Sequence, residues 1–348
     1  MKVWKIESEE AYFEQVLKIT EEKLKKELSQ TNKDLYYEKV IVIPKKKGHR
    51  RIIAVNKNID LYRIQKNICS NFLNNIKLSD VAHGFKKSEN YVLYLLPHIS
   101  FYKNNYYLRL DIKNFFDSIA YDWIQEVIEY YFEENENLTQ DNRDKLISYT
   151  MQILTNHNKV IPGSVSAPTI SNIIFRELDI RLERYCKRFK VKYTRYADDL
   201  LFSSESSRLH KDIFLSGITR ILSDRKLYIN YDKIVRAKDE ISLGGYVVSD
   251  DIRLSRKKFS AINRVLFFVE NNKFENTAEY YKRLNDLLKE QDKKNSLKIY
   301  GKYSLINFLA GNRAFIIGVL RYMEDEKYRD KHTKILKRIE VAISKVDT

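Results

Sequence analysis

The chain has 348 residues and carries 63 Lys and Arg against 47 Asp and Glu, a net charge of +16. Its 43% hydrophobic and 32% charged content suits a globular protein with a buried core, which excludes a disordered tail protein and a collagen-like repeat. With only 9 Gly and 4 Pro, long flexible linkers are excluded too. No run approaches the roughly 18 apolar residues of a membrane span. The most hydrophobic piece, Phe308 to Met323, is broken by Asn312 and Arg313. The opening MKVWKIESEE lacks the apolar region of a signal peptide. Cys69 and Cys186 are too few for a disulfide framework or a zinc site, which fits a reducing cytoplasm.

In chain order, the spacing of Tyr12, Val16, Ile19, Leu24 and Leu28 predicts helix over 10–30. KVIVI (39–43) and RIIAV (51–55) are β-branched runs joined by a basic turn, a hairpin. Residues 60–78 return to helical period, and YYLRLDI (106–112) reads as a strand ending in a carboxylate. Helices are expected over 122–134, 141–156, 168–188 and 208–225. Strands are expected over 191–196, 200–204, 227–235 and 241–248, and only helical spacing follows 255. Basic residues cluster at Lys45–Lys47 with Arg50 and Arg51, at Arg181–Arg188, at Arg253–Lys258 and at Lys327–Arg338, while 122–144 is acidic. Such clustering suits a groove that tracks phosphates, although an AT-rich genome also enriches Lys. A membrane surface fits less well, because no basic amphipathic helix stands alone at a terminus.

The strongest local signal is Tyr196-Ala197-Asp198-Asp199 between two apolar strands. Two adjacent carboxylates repel, and one is pushed toward protonation unless a cation is near. A divalent metal resolves this, since Mg²⁺ takes hard oxygen ligands and leaves positions for phosphate. The plainer alternative is an ordinary Asp-Asp turn. Asp111 ends its strand and is followed by Phe115-Phe116. If the two strands are neighbours, these carboxylates converge as two-metal phosphoryl transfer requires. Taken alone, Asp111 is equally a solvated strand end.

Several motifs in one order then resemble reverse transcriptases, and among them the bacterial retron type, over about 35–265. The Tyr-Ala-Asp-Asp box is one, and Asp-Ile-Lys-Asn-Phe-Phe-Asp-Ser-Ile resembles the family's first catalytic motif. Between them, Gly163, Pro168, Ser171 and Asn172 resemble its Gly-x-x-x-x-Pro-x-x-Ser-Asn element, and His83-Gly84-Phe85 its His-Gly-Phe triplet. The KKKGHRRI hairpin resembles the element that grips the incoming triphosphate, and Ile229-Asn230-x-x-Lys233 a later motif whose Lys faces pyrophosphate. There are departures. Only His98 remains of an Asn-Ala-x-x-His element, Leu243-Gly244-Gly245 stands for Val-Thr-Gly, and Pro162 stands where the family has Gln.

The resemblance implies an α+β right-hand polymerase fold. Fingers would occupy 1–105 with part of 120–165, an antiparallel-sheet palm 106–250, and a helical, RNA-binding thumb 251–348. It implies that Asp111, Asp198, Asp199 and a backbone carbonyl near Ile112 hold two Mg²⁺ ions, with Mn²⁺ the alternative. Asp199 would be the weaker ligand, since adjacent hairpin-tip residues point in different directions. Phe116 would sit under the sugar and exclude a 2′-OH; otherwise it is a core Phe. Arg50 or Arg51 would bind phosphates, neither being primary from sequence, or else form a solvated hairpin tip. Gly163, Tyr196 and Ala197 would contact substrate. Lys233 would give a proton to pyrophosphate, or else be a surface Lys.

RNA contacts would fall to His98, Arg253, Arg256, Lys257 and Lys258, although a packed role for His98 is open. Lys327, Arg329, Lys331, Lys334, Lys337 and Arg338 would grip duplex from the thumb, or form a solvated helix face. The function implied is an RNA-directed DNA polymerase that uses dNTPs and a structured non-coding RNA as template and primer. It would leave RNA-linked DNA that serves antiviral defence with a separate effector protein, without a membrane. Two alternatives stand: another defence reverse transcriptase with protein-primed or untemplated synthesis, and a non-catalytic RNA-binding scaffold.

Overall fold

The computed structural model describes residues 5–37, 39–44, 49–87, 89–101, 104–291 and 298–347. The stretch expected as one N-terminal helix is three short ones: a π-helix Ala11–Leu17, α1 (Glu21–Glu27) and α2 (Gln30–Tyr36). The break has a local cause. Lys18 adopts φ 56°, a left-handed cap, and Thr20 and Ser29 then cap α1 and α2 by accepting from Lys23 N and Asn32 N. β1 (Lys39–Pro44) and β2 (His49–Ala54) form the expected antiparallel hairpin, with Val42 opposite Arg51 and Ile43 opposite Arg50. Lys45–Lys47, at its tip, lie outside the described residues, as do the side chains of Arg50 and Arg51.

α3 (Asp60–Asn71) buries Leu61, Ile64 and Ile68 along one stripe. The short α4 (Tyr91–Leu95) precedes β3 (Tyr106–Asp111). α5 (Tyr121–Glu129) ends earlier than its expected 134, and α6 (Gln140–Leu154) follows. α7 (Ala167–Arg188) has Pro168 in its first turn, where the missing N–H costs nothing. β4 (Lys192–Tyr196) and β5 (Asp199–Ser204) flank the Ala197-Asp198 turn, and α8 (Asp212–Ser223) follows.

The strand expected over 227–235 is mostly absent. Residues Tyr231–Lys233 form a 3-10 turn, and the strand β6 is Val235–Lys238. The strand expected over 241–248 is a hairpin, β7 (Ile241–Leu243) and β8 (Tyr246–Val248), because Gly244 and Gly245 take φ 58° and 93° in a two-residue turn. β9 (Ile252–Leu254) pairs with β8. Among the described residues four helices follow: α9 (Arg256–Asn271), α10 (Ala278–Gln291), α11 (Lys302–Leu320) and α12 (Glu326–Asp347).

Among the described residues the strands form three sheets, ordered β1-β2, β4-β5-β3-β6 and β7-β8-β9. The class is α+β, as expected. The chain divides into two compact units. The first comprises Met1–Asn90, Leu108–Phe202 and Ser207–Arg236, the second Tyr91–Tyr107, Ser203–Ser206 and Ala237–Thr348. In the first, α7 packs against α5, α8 and β4, around Ile124, Ile174, Leu178, Phe202 and Phe214. In the second, α9 packs against α10 and α12, and α11 against α12, around Val265, Leu284, Leu309, Ile316 and Ile339. Contrary to the sequence expectation, α11 is long and apolar enough to span a bilayer by length and composition; it presents Leu305, Leu309, Ile316 and Val319 to the unit's core.

Candidate active site

In the first unit, backbone bonds draw the separate motifs together. Ile112 N donates to Asp198 O at 3.0 Å, which ties the end of β3 to the β4–β5 turn. Asn230 N donates to Asp111 O at 2.8 Å, and Lys113 N to Tyr228 O at 2.8 Å, which fix the segment bearing Lys233 against the same strand end. Ala197, with φ 55°, turns the chain so that two Asp follow at the tip. Asp111, Ile112, Tyr196, Ala197, Asp198, Asp199 and Lys233 thus share one locality.

The carboxylates differ in their partners. Asp111 is buried, and Lys233 Nζ donates to its Oδ1 and Oδ2 at 2.7 and 2.8 Å. Asn230 Nδ2 adds a long contact of 3.4 Å. Asp199 Oδ1 accepts from Arg109 Nη2 at 2.5 Å. Burial raises the Asp199 pKa; Arg109 opposes that, while Asp198 and Asp111 add to it through like-charge repulsion. That mutual repulsion is the electrostatic mark of convergent carboxylates. Among the described residues no group of three or more His, Cys, Asp or Glu side chains is placed to hold a metal ion. Mg²⁺ does not need one, because it binds through one or two carboxylates and keeps sites for water and phosphate. The hard oxygen set of Asp111, Asp198 and the Ile112 carbonyl fits such an ion.

A second layer supports the tip. Arg195, within β4, and Asp179, on α7, are both 0% exposed, with Nε–Oδ1 and Nη2–Oδ2 distances of 2.9 and 2.8 Å. Arg195 Nη1 also donates to Asn172 Oδ1 and to Ala197 O, and its guanidinium lies 4.4 Å from the Phe175 ring centroid. Tyr193 OH donates to Asp179 at 2.9 Å. The His83-Gly84-Phe85 triplet docks here: His83 N donates to Arg195 O, and Asn172 Nδ2 to Gly84 O. A Cβ on Gly84 would stand 2.6 Å from Ala197 N, so only glycine allows this approach.

Phe116 begins a 3-10 turn, half-buried, with its ring 6.5 Å from Phe85 and 5.3 Å from Phe115. The core position belongs instead to Phe115, 4% exposed. Gly163 is exposed, in a loop with φ 104°, before α7.

Arg109, Arg195 and Asp179 belong to none of the motifs that the sequence displays. A signal was present for Arg109: it stands two residues before Asp111, hence on the same face of β3. For Arg195 there was none: β4 also carries Lys192 and Thr194, so a cation there does not stand out.

In the second unit, the RNA-contact expectations diverge. His98 is fully buried, with Nδ1 2.7 Å from Ser203 Oγ, so it has no surface for RNA and takes the packed role. Arg253 is held by Glu240 at 2.5 Å and by Ser249 Oγ at 2.6 Å. Arg256 and Lys257 are exposed, while Lys258 is half-buried over the Phe315 ring, and burial lowers its pKa.

An α+β chain with carboxylates gathered where neighbouring strands end is of the right-hand polymerase class. Within it, the chain belongs to the reverse transcriptase (RNA-dependent DNA polymerase) family, whose profile matches residues 43–248. Curated relatives include the Retron Ec73 reverse transcriptase of Escherichia coli, 28% identical over 60% of this chain and 65% of that one. The Retron Ec86 reverse transcriptase of the same organism is 27% identical over 58% of this chain and 60% of its own length. The matches thus span less than two thirds of either relative. Apo telomerase from Candida tropicalis superposes with a TM-score of 0.46 at 14% identity, over 88% of this chain and 62% of that one. The resemblance to retron-type reverse transcriptases holds.

Proposed function

We propose that the chain is an RNA-directed DNA polymerase of retron type. It copies a structured RNA that also supplies the primer hydroxyl, and it leaves single-stranded DNA joined to RNA. The observation that carries this reading is the Ile112–Asp198 backbone bond, which unites the first catalytic motif with the Tyr-Ala-Asp-Asp tip. Residues 1–105 with part of 120–165 act as fingers, 106–250 as palm and 251–348 as thumb. The relatives are retron enzymes by name, which supports the subclass. On this reading the protein works in the cytoplasm, and a separate effector turns its product to antiviral defence.

Asp111, Asp198 and the Ile112 carbonyl would hold two Mg²⁺, or Mn²⁺. Such ions, when bound, favour the ionised primer hydroxyl and neutralise charge on the leaving pyrophosphate. The chain's own residues do the rest. Arg109 orients Asp199 and, through it, the tip. Lys233 Nζ carries the proton that the leaving pyrophosphate oxygen takes. Phe116 closes the space that a 2′-OH needs. Tyr196, Ala197 and Gly163 bound the substrate site, and Arg50 and Arg51 meet the triphosphate.

The test is expression with native flanking DNA, followed by nuclease and debranching treatment of the nucleic acid that co-purifies. A discrete DNA that shortens with RNase, responds to debranching and disappears with Asp198→Ala is expected. DNA without RNA attached would remove the retron subclass, and RNA alone in both samples would remove the polymerase.

A further inference from the structure

The His83-Gly84-Phe85 triplet is tied to the carboxylate tip, yet none of the roles above falls to Phe85. The segment that leads to it runs beside β4. Arg195 N donates to Val81 O at 2.7 Å, and His83 N to Arg195 O at 2.8 Å. Asn172 Nδ2 then holds Gly84 O at 2.6 Å. Around the turn, His83 Nδ1 stands 3.0 Å from Glu89 Oε2, and Lys86 Nζ lies 3.5 Å from Glu89 Oε1. The chain is thus fixed on both sides of Phe85.

At Phe85 itself the backbone takes φ 60°. That left-handed region suits Gly and, among other residues, Asn and Asp; a bulky aromatic residue is strained there. Phe85 gains little burial in exchange, since it stays 45% exposed where nearby Phe115 is 4% exposed. One exposed apolar side chain is ordinary at a protein surface. An exposed ring on a left-handed backbone that hydrogen bonds hold in place is not, because folding alone would favour Gly or Asn at this position. Strain of this kind persists where the surroundings over-determine it, and it gathers at ligand sites.

Two contacts place the ring. The preceding Gly84 abuts the Tyr-Ala-Asp-Asp tip so closely that a Cβ would stand 2.6 Å from Ala197 N. The Phe85 ring centroid is 6.5 Å from that of half-buried Phe116, with the planes 48° apart. The two rings therefore adjoin in the neighbourhood of the carboxylates. An aromatic face held rigidly in such a place suits a nucleobase of any identity, because every base has a π-face. We propose that Phe85 is a substrate-binding residue of the polymerase site, its ring stacking on a nucleobase beside the sugar that Phe116 meets. This rests on the polymerase reading and adds a base-stacking position to it. Two nucleotides share the required chemistry: the incoming dNTP and the template residue that pairs with it.

Two variants test the ring. Phe85→Asn removes it while suiting the left-handed backbone, so the turn keeps its path. Phe85→Tyr keeps it. Incorporation of dNTP with Mg²⁺, on a DNA primer annealed to an RNA template, gives kcat and KM; fluorescence anisotropy in EDTA gives the Kd of the same duplex. Stacking is present both before and in the transition state, so its loss falls on a binding constant rather than on kcat. Phe85→Asn should raise one of the two constants about tenfold, the scale of one stacked base, and Phe85→Tyr should recover most of that. A higher KM identifies the incoming nucleotide, and a higher duplex Kd identifies the template residue. The preference for dNTP over rNTP should hold, since Phe115 still packs on Phe116. Both constants unchanged in Phe85→Asn would overturn the proposal. So would a lost dNTP preference as the sole effect, which would make Phe85 a prop for Phe116. A wild type that binds the duplex but incorporates no dNTP would instead remove the polymerase reading, and the stacking role with it.

Discussion

Lys233 Nζ bridges both carboxylate oxygens of Asp111, at 2.7 and 2.8 Å, although the two residues lie on different segments held together by the Asn230 N to Asp111 O bond. The pair is asymmetric, since Asp111 is buried and the Lys233 side chain is 48% exposed. A half-exposed ion pair contributes little to folding, about 0–1 kcal/mol. Its value is positional: the ammonium is held beside Asp111, which on the proposed mechanism would carry a metal ion. Lys233→Gln should therefore leave the melting temperature nearly unchanged and slow single-turnover dNTP incorporation by about 10²–10⁴-fold, the usual worth of a general acid. Lys233→Arg should restore part of the rate. A wild-type rate in Lys233→Gln would remove this Lys from the chemistry.

The neighbouring carboxylates should separate in a similar comparison. Asp199 is engaged by Arg109, so its charge is partly spent within the protein. Asp198→Asn should cost about 10³-fold or more in rate, as loss of a metal-bound carboxylate does, and Asp199→Asn clearly less. Arg109 also lowers an Asp199 pKa that burial raises. Arg109→Gln removes the lowering influence, so the carboxylate should protonate at higher pH and the acid limb of the rate profile should move upward. Profiles of wild type and Arg109→Gln that superimpose would show that Arg109 does not act through Asp199.

Much of this site was legible because local pattern and chemistry coincide. Short strand-like runs flanking carboxylates marked β3, β4 and β5, and the Asp residues at their ends stood out against them. What failed to show was long-range. The 227–235 run, with Ile229, Ile234 and Val235, reads as a strand, yet Asn230 and Lys113 pair it with the end of β3, and the chain turns through Tyr231–Lys233 instead. His98 carries no local mark of burial, and only the fold places Ser203 against it. Asp179 and Arg195 lie on separate elements, so neither the helical period of α7 nor the alternation of β4 could pair them.

That buried pair is the main structural investment behind the tip. Removing one partner strands the other's charge where water cannot reach it. Asp179→Ala should destabilise the protein by about 3–5 kcal/mol, measured as a shift in the urea midpoint. Replacing both partners, Asp179→Leu with Arg195→Met, should recover much of that loss because no buried charge remains. The double variant should still polymerise poorly, since Arg195 also bonds Ala197 O and Asn172. A double variant no more stable than Asp179→Ala would count against this account of the pair.

Phe116 sets a test of substrate choice. Its ring packs on Phe85 and Phe115 and stays half-exposed, so it can meet a ligand without leaving the cluster. Phe116→Val opens room for one hydroxyl. The ratio of kcat/KM for a dNTP to that for the matching rNTP should fall by about tenfold or more, the scale on which a pocket senses a small group. An unchanged ratio would return Phe116 to a packing role.

The second unit should lose stability in mild acid through His332. Its Nε2 accepts from Leu254 N at 3.1 Å, and its Nδ1–H donates to Tyr328 O at 2.6 Å, so the ring must be neutral with the proton on Nδ1. Protonating Nε2 would set one N–H against another. Burial is the main cause of a pKa below the usual 6.5; nearby Lys331 and Arg253 lower it further, while the Tyr328 carbonyl and Asp251 oppose them. The unfolded chain therefore binds the proton more tightly than the folded one. The contribution is fully present above the unfolded value and is lost as pH falls from there through the folded value. Urea midpoints measured between about pH 7.5 and pH 5.5, the window in which imidazole titrates, should fall for wild type. They should fall less for His332→Gln, whose amide can donate and accept at the same two places without titrating. Equal slopes for the two proteins would place the acid sensitivity elsewhere.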